Sequence, residues 1–141
     1  MKDTIANIIN HMQHVGIPVS DIKKSIEFYE SLGFKNVMEA GFEIEGEKGV
    51  CVMMQLKTIT IELYQLPPKK LTEIKQRKDG HIDHIAFDVD DIDEAFTLMK
   101  EGSFYILEDA PVSLAFWKKG CRYFNILGPD GERLEFNEII N

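Results

Sequence analysis

Four side chains in this sequence are of types that together could hold a divalent metal ion: His14, Glu62, His84 and Glu135. Two imidazoles and two carboxylates make a mixed nitrogen and oxygen donor set. It suits one borderline ion per site, such as Ni, Zn, Co, Mn or Fe, with room for water in a six-coordinate shell. No cysteine joins the set, which argues against a closed structural zinc site. Open positions on such an ion could accept one or two substrate oxygens and stabilise negative charge developing on them. A glutamate beside that substrate could move a proton.

The two histidines are paired by an internal repeat. Residues 11–34, HMQHVGIPVSDIKKSIEFYESLGF, realign without a gap on residues 81–104, HIDHIAFDVDDIDEAFTLMKEGSF, at a constant shift of 70, with six of 24 positions identical. Side chains alternate along a strand, so His11 and His14, three apart, cannot both face one way. His14 runs directly into the alternation of Val15, Ile17 and Val19, and shares the opposite face with the small Gly16 and Pro18. His84 stands in the same relation to Ala86. Small residues beside an inward imidazole leave room for a ligand. A lone buried histidine is more often a satisfied core residue, but a duplicated one at matched positions points to a ligand.

Glu62 and Glu135 each interrupt an apolar run, between Ile61 and Leu63 and between Leu134 and Phe136. A carboxylate buried in a strand is costly unless a cation or strong hydrogen bonds compensate. Taken singly, each could equally face solvent on a half-exposed sheet. Tyr64 and Asn137 lie two residues beyond the glutamates and share their faces, which makes them candidates for binding substrate.

The elements that must position these groups follow from periodicity. After the first strand, Asp21 stands at an N-cap. Ile22, Ile26, Tyr29 and Leu32 then recur at helical spacing, and Gly33 ends the run. The second half repeats this with Asp91 and Glu94 as a capping box, Ile92, Ala95, Phe96 and Met99 as the apolar stripe, and Gly102 as the stop. Short strands are expected over 34–40, 50–56 and 58–66, then over 104–107, 122–127 and 132–140. Turns are expected at Gly46 to Gly49 and at Gly128-Pro129-Asp130-Gly131. The chain thus reads as an α+β fold of two βαβββ modules, residues 11–66 and 81–141, joined by a connector over 67–80.

The remaining features have blander readings. Lys69, Lys70, Lys75, Arg77 and Lys78 form one basic cluster, and Lys118, Lys119 and Arg122 a second. For each, a solvated surface is favoured over a grip on a carboxylate or phosphate of the substrate, and Arg122 is a candidate for binding substrate. Phe116 and Trp117 precede Gly120 in a loop where aromatic residues could line a substrate mouth, pack in the core or meet a second subunit. Cys51 and Cys121 read as buried thiols rather than a disulfide framework. Length favours one domain. The composition, 44% apolar and 28% charged, is that of a globular protein, and a net charge of −8 excludes a uniform basic field for nucleic acid or anionic membranes. No run approaches a membrane span and the first residues lack a signal-peptide pattern, so a cytoplasmic location is expected.

HVGIPVSDIKKSIEFYESLGF, ITIELYQL, DHIAFDVDDI and GCRYFNILGPDGERLEFNEI resemble the successive motifs of the vicinal oxygen chelate superfamily, over nearly the whole chain. The resemblance implies that the two βαβββ modules form a paired, curved mixed sheet around a metal cavity, and that homodimers are common. A histidine and a glutamate from each module are similar to the ligand set of glyoxalase I. That enzyme isomerises the hemithioacetal of a 2-oxoaldehyde and a thiol through an enediolate. The likeness implies His14, Glu62, His84 and Glu135 as ligands, Glu135 as the base, and Glu62 as ligand or second base. Methylmalonyl-CoA epimerases of the superfamily form a related enolate but usually carry Gln at the place of Glu62. An epimerase-like enzyme is the first alternative, and a non-catalytic protein that binds a drug or other small molecule is the second.

Overall fold

The computed structural model describes residues 4–31, 33–77, 82–127 and 133–141, which lie in two compact units, one of 14–83 and one combining the residues up to Gln13 with 84–141. Leu32, Lys78, Gly80, His81 and the expected turn Gly128-Pro129-Asp130-Gly131 lie outside the described residues. The division falls inside the first strand, β1 (Ile9–Pro18).

In the unit of residues 14–83, the later part of β1 leads to helix α2 (Ile22–Ser31), strands β2 (Lys35–Ile44), β3 (Glu47–Leu56) and β4 (Ile59–Gln65), and helix α3 (Pro68–Gln76). The strands run in the order β2-β3-β4-β1, with the first two pairings antiparallel and β4 parallel to β1. The Asp21 carboxylate accepts from the Lys24 N–H at 3.3 Å, the expected cap. Gly33 takes φ +99°, which lets the Phe34 N–H reach back to the Tyr29 carbonyl and close the helix. Glu45 and Gly46, both at positive φ, join β2 to β3 as a two-residue type I′ turn, so Gly49 belongs to the strand rather than the turn. Val19, Phe34, Val52, Met54 and Leu63 form the core under α2, with Ile17, Ile22, Ile26 and Tyr29 packed against it. The connector is not irregular, since α3 occupies most of it. Pro68 opens that helix, where a missing N–H costs nothing.

The other unit begins with a short helix, α1 (Ile5–Ile8), which nothing in the sequence pattern announced. Ile5, Ile8 and Ile9 add to the core of this unit, and α1 packs against α4 (Ile92–Glu101). Strands β5 (His84–Val89), β6 (Val112–Leu114), β7 (Cys121–Leu127) and β8 (Arg133–Ile139) run in the order β5-β8-β7-β6, with β5 parallel to β8. Val89, Ile92, Ala95, Met99, Phe124, Ile126 and Phe136 fill the core, and Phe124 stacks on Phe136 at 5.1 Å. Burying each such large side chain contributes about 1.5–3 kcal/mol. One expectation is corrected here. Residues 104–107 form only a single bridge, Ile106 to Ile126, so the strand that follows α4 is the short β6 further along. Gly102 caps α4 at the expected place with φ −78°, and Ser103 after it, at φ +59°, takes the left-handed conformation.

Candidate functional site

Alternation in each strand sends one set of side chains to the helix and the other to the opposite face. In the unit of residues 14–83, Ile17, Ile61 and Leu63 pack under α2. The register, Gly16 beside Glu62 and Pro18 beside Tyr64, therefore places His14, Glu62 and Tyr64 on the opposite face. His14 is buried, and its Nε2 lies 3.9 Å from Glu62 Oε1. The Cys51 thiol reaches toward the other carboxylate oxygen at 3.7 Å. His11, by contrast, is exposed and lies 4.0 Å from Asp88, which resolves the choice between the two histidines of β1.

The second unit repeats the arrangement. Phe87 and Phe136 face α4, and Ala86 stands beside Glu135, so His84, Glu135 and Asn137 share the opposite face. All three are buried, and His84 Nε2 lies 3.6 Å from Glu135 Oε1. Asn137 Nδ2 donates to Glu135 Oε2 at 2.9 Å, and Gln13 Nε2 donates in turn to Asn137 Oδ1 at 3.1 Å and to its carbonyl at 3.2 Å. This chain of amides fixes the plane of the Glu135 carboxylate. Gln13 was not singled out by the sequence, because a polar residue next to a histidine carries no periodic signal.

Separations of 3.6 and 3.9 Å are too long for hydrogen bonds. They suit two ligands of one ion, since bonds of about 2.0–2.2 Å set neighbouring ligand atoms roughly 3 Å apart and a small side-chain adjustment closes the difference. The donor set in each unit therefore fits half of a divalent cation site.

Other candidates fall elsewhere. Arg122 alternates with Cys121 and Tyr123 and leaves β7 on the helix side, where it grips Asp93 of α4 with two bonds of 2.8 and 3.0 Å. That pairing holds the Asp93 carboxyl below its ordinary pKa and raises that of the guanidinium. Arg122 does not join Glu135. Phe116 is buried, and Trp117 beside it takes φ +66°, rare for a bulky side chain. Its indole N–H is buried without a hydrogen-bond partner among the described residues. A cleft opens beyond the C-terminal ends of β5 and β8, between Asp88, Asp90 and Glu138. Burial and the nearby Asp91 push the Glu138 carboxyl above its ordinary pKa, so this cleft is acidic and sits apart from the His84–Glu135 pair.

Residues 11–136 match the family model of the Glyoxalase/Bleomycin resistance protein/Dioxygenase superfamily. The chain belongs to that superfamily. It is 34% identical over 131 residues to the uncharacterized protein YwbC of Bacillus subtilis (strain 168), covering 89% of this chain and 94% of that protein. Among solved structures, a hypothetical protein from Bacillus halodurans C-125 has a TM-score of 0.72 at 26% identity, over 92% of this chain and 94% of that one. Methylmalonyl-CoA epimerase from Mycobacterium tuberculosis has a TM-score of 0.77 at 18% identity, over 100% of this chain and 93% of that one, a likeness of fold. The expected family and α+β class are thereby borne out.

Proposed function

We propose that this superfamily member is a metal-dependent isomerase of the lactoylglutathione lyase type, acting on the hemithioacetal of a 2-oxoaldehyde and a thiol. His14, Glu62, His84 and Glu135 would hold one divalent ion of the nickel, zinc, cobalt, manganese or iron group. The observation that carries this reading is the recurrence of one His–Glu pair in each unit, at 3.9 and 3.6 Å, with both histidines and Glu135 buried and Glu62 half-buried. When bound, the ion supplies positive charge to oxygens of the substrate that become negative as the carbon-bound proton leaves.

Glu135 takes the proton from the carbon bearing sulfur and hydroxyl and delivers it to the neighbouring carbonyl carbon, while the hydroxyl proton passes to the former carbonyl oxygen, leaving a 2-hydroxy thioester. No atom is gained or lost. Asn137, backed by Gln13, holds the carboxylate in the plane that this transfer needs. Tyr64, on the Glu62 face, and Trp117, with its unsatisfied indole N–H, bind the substrate. A homodimer in the cytoplasm is the working form in this reading.

The test is to load the protein with each metal and follow thioester formation from methylglyoxal with glutathione and with smaller thiols. Saturable turnover that is lost on chelation and restored by metal supports the proposal. Absence of turnover with every metal and thiol overturns it. A second reading, epimerisation of an acyl thioester, is favoured by the fold likeness to methylmalonyl-CoA epimerases at TM-scores of 0.77 and 0.74. It predicts deuterium exchange into methylmalonyl-CoA in heavy water without hemithioacetal turnover.

A further inference from the structure

Asn125 lies on β7 directly opposite Glu135 on β8, so the two side chains leave the sheet on the same face. It is 5% exposed and interrupts the apolar run Tyr-Phe-Asn-Ile-Leu, as Glu62 and Glu135 interrupt theirs. The Glu108 carboxylate accepts from the Asn125 backbone N–H at 2.6 Å and from its Nδ2 at 2.9 Å. A carboxylate accepts hydrogen bonds and offers none when ionised, so this contact determines which end of the amide faces Glu108. The amide oxygen is turned away, buried and without a hydrogen-bond partner among the described residues. Stranding an acceptor in this way is costly, and rotation of the amide would not relieve it beside the Glu108 carboxylate.

We propose that Asn125 Oδ1 is a fixed acceptor for a hydroxyl of the substrate handled at Glu135, and that Glu108 is the positioning residue that keeps it an acceptor. The inference rests on the reading that Glu135 faces substrate, and it sharpens that reading. A hemithioacetal carries a hydroxyl on the carbon that loses its proton, whereas an acyl thioester with a carboxylate presents only acceptors there. Asn125 would therefore favour hydroxyl-bearing substrates and repel a carboxylate at this point.

The experiment measures binding of paired ligands, an α-hydroxyketone and its methyl ether, to the metal-loaded protein by calorimetry, alongside turnover of the hemithioacetal. Wild type should prefer the hydroxyl form by about 10-fold, the worth of one hydrogen bond. Asn125→Leu should abolish that preference by weakening the hydroxyl ligand alone. Glu108→Gln keeps the Asn125 side chain and lets its amide turn over, because the introduced carboxamide can donate to Oδ1. The preference should then disappear or reverse, with metal content unchanged. Preference lost in both variants, in a protein that turns over no hemithioacetal, sustains the acceptor role and defeats the glyoxalase reading alone. No preference in wild type, or one that survives both substitutions, overturns the proposal whatever the turnover.

Discussion

His84 Nε2 lies 3.6 Å from Glu135 Oε1, and the relation recurs one repeat earlier, where His14 Nε2 lies 3.9 Å from Glu62 Oε1. In both units the pair stands on parallel strands, on the face turned away from the helix. Withdrawing such groups from water is a cost that a metal ion, if bound as proposed, would offset. An ion at about a hundred times its dissociation constant should stabilise the fold by roughly 2.7 kcal/mol, or about 5–10 °C in melting temperature for a chain of this size. Melting curves with and without EDTA, followed by back-titration with each metal, measure this. Identical curves would count against a site of any kind.

Glu135 and Glu62 should separate in function. Glu135→Gln keeps an acceptor for Asn137 but removes the proposed base, and kcat should fall about 10²–10⁴-fold. Glu62→Gln keeps the base and should lower kcat far less, with its larger effect on metal affinity. Steady-state kinetics and elemental analysis of both variants decide the matter. Equal losses of kcat at full metal occupancy would contradict the assignment.

Much of the candidate site was legible in the sequence because a repeat of fixed length transfers position. The ungapped shift paired His14 with His84, and the glutamates stood out as charges inside apolar strands. What stayed hidden depends on contacts between distant segments. Gln13, Asn125 and Glu108 gain their meaning from partners that only the fold supplies. Arg122 sits in a basic cluster along the chain, yet alternation in β7 sends it to Asp93 on the helix side. The helix over 68–76 lay in a segment whose charges masked the spacing of Leu71 and Ile74.

The two helix ends give a stability test that compares the protein with itself. Gly33 at φ +99° and Ser103 at φ +59° are equivalent in the repeat, each followed by a phenylalanine whose N–H returns to the helix. A side chain in the left-handed region costs about 1–2 kcal/mol relative to glycine. Ser103→Gly should therefore raise stability by up to about 1 kcal/mol, and Gly33→Ala should lower it by a similar amount. Urea titrations of the two variants measure both signs, and destabilisation by Ser103→Gly would refute the equivalence.

Arg122 is engaged with an exposed carboxylate, so its loss should be nearly silent. Arg122→Met should cost at most about 1 kcal/mol and leave KM unchanged for any substrate turned over at Glu135. A rise in KM of tenfold or more would return Arg122 to the substrate site.

Glu138 should give the protein a distinctive pH response. Its carboxyl is raised chiefly by burial, then by Asp91, with smaller contributions from Asp93 and Asp90, and Arg122 opposes them. Because the folded state holds this proton more tightly than the unfolded state, its contribution to stability is fully present below the ordinary value of 4.5. That contribution is lost as pH rises through the folded pKa. Asp93 behaves oppositely, since Arg122 lowers its pKa: its contribution is present above 3.8 and is lost as pH falls through the folded value. Glu138→Gln should therefore melt higher than wild type at pH 7 and alike near pH 4. In the Arg122→Met background the gain at pH 7 should grow, because a cation opposing the shift is gone. Melting temperatures of the four proteins at the two pH values test this, and a gain from Glu138→Gln that persists undiminished at pH 4 would show that the carboxyl's charge is not its origin.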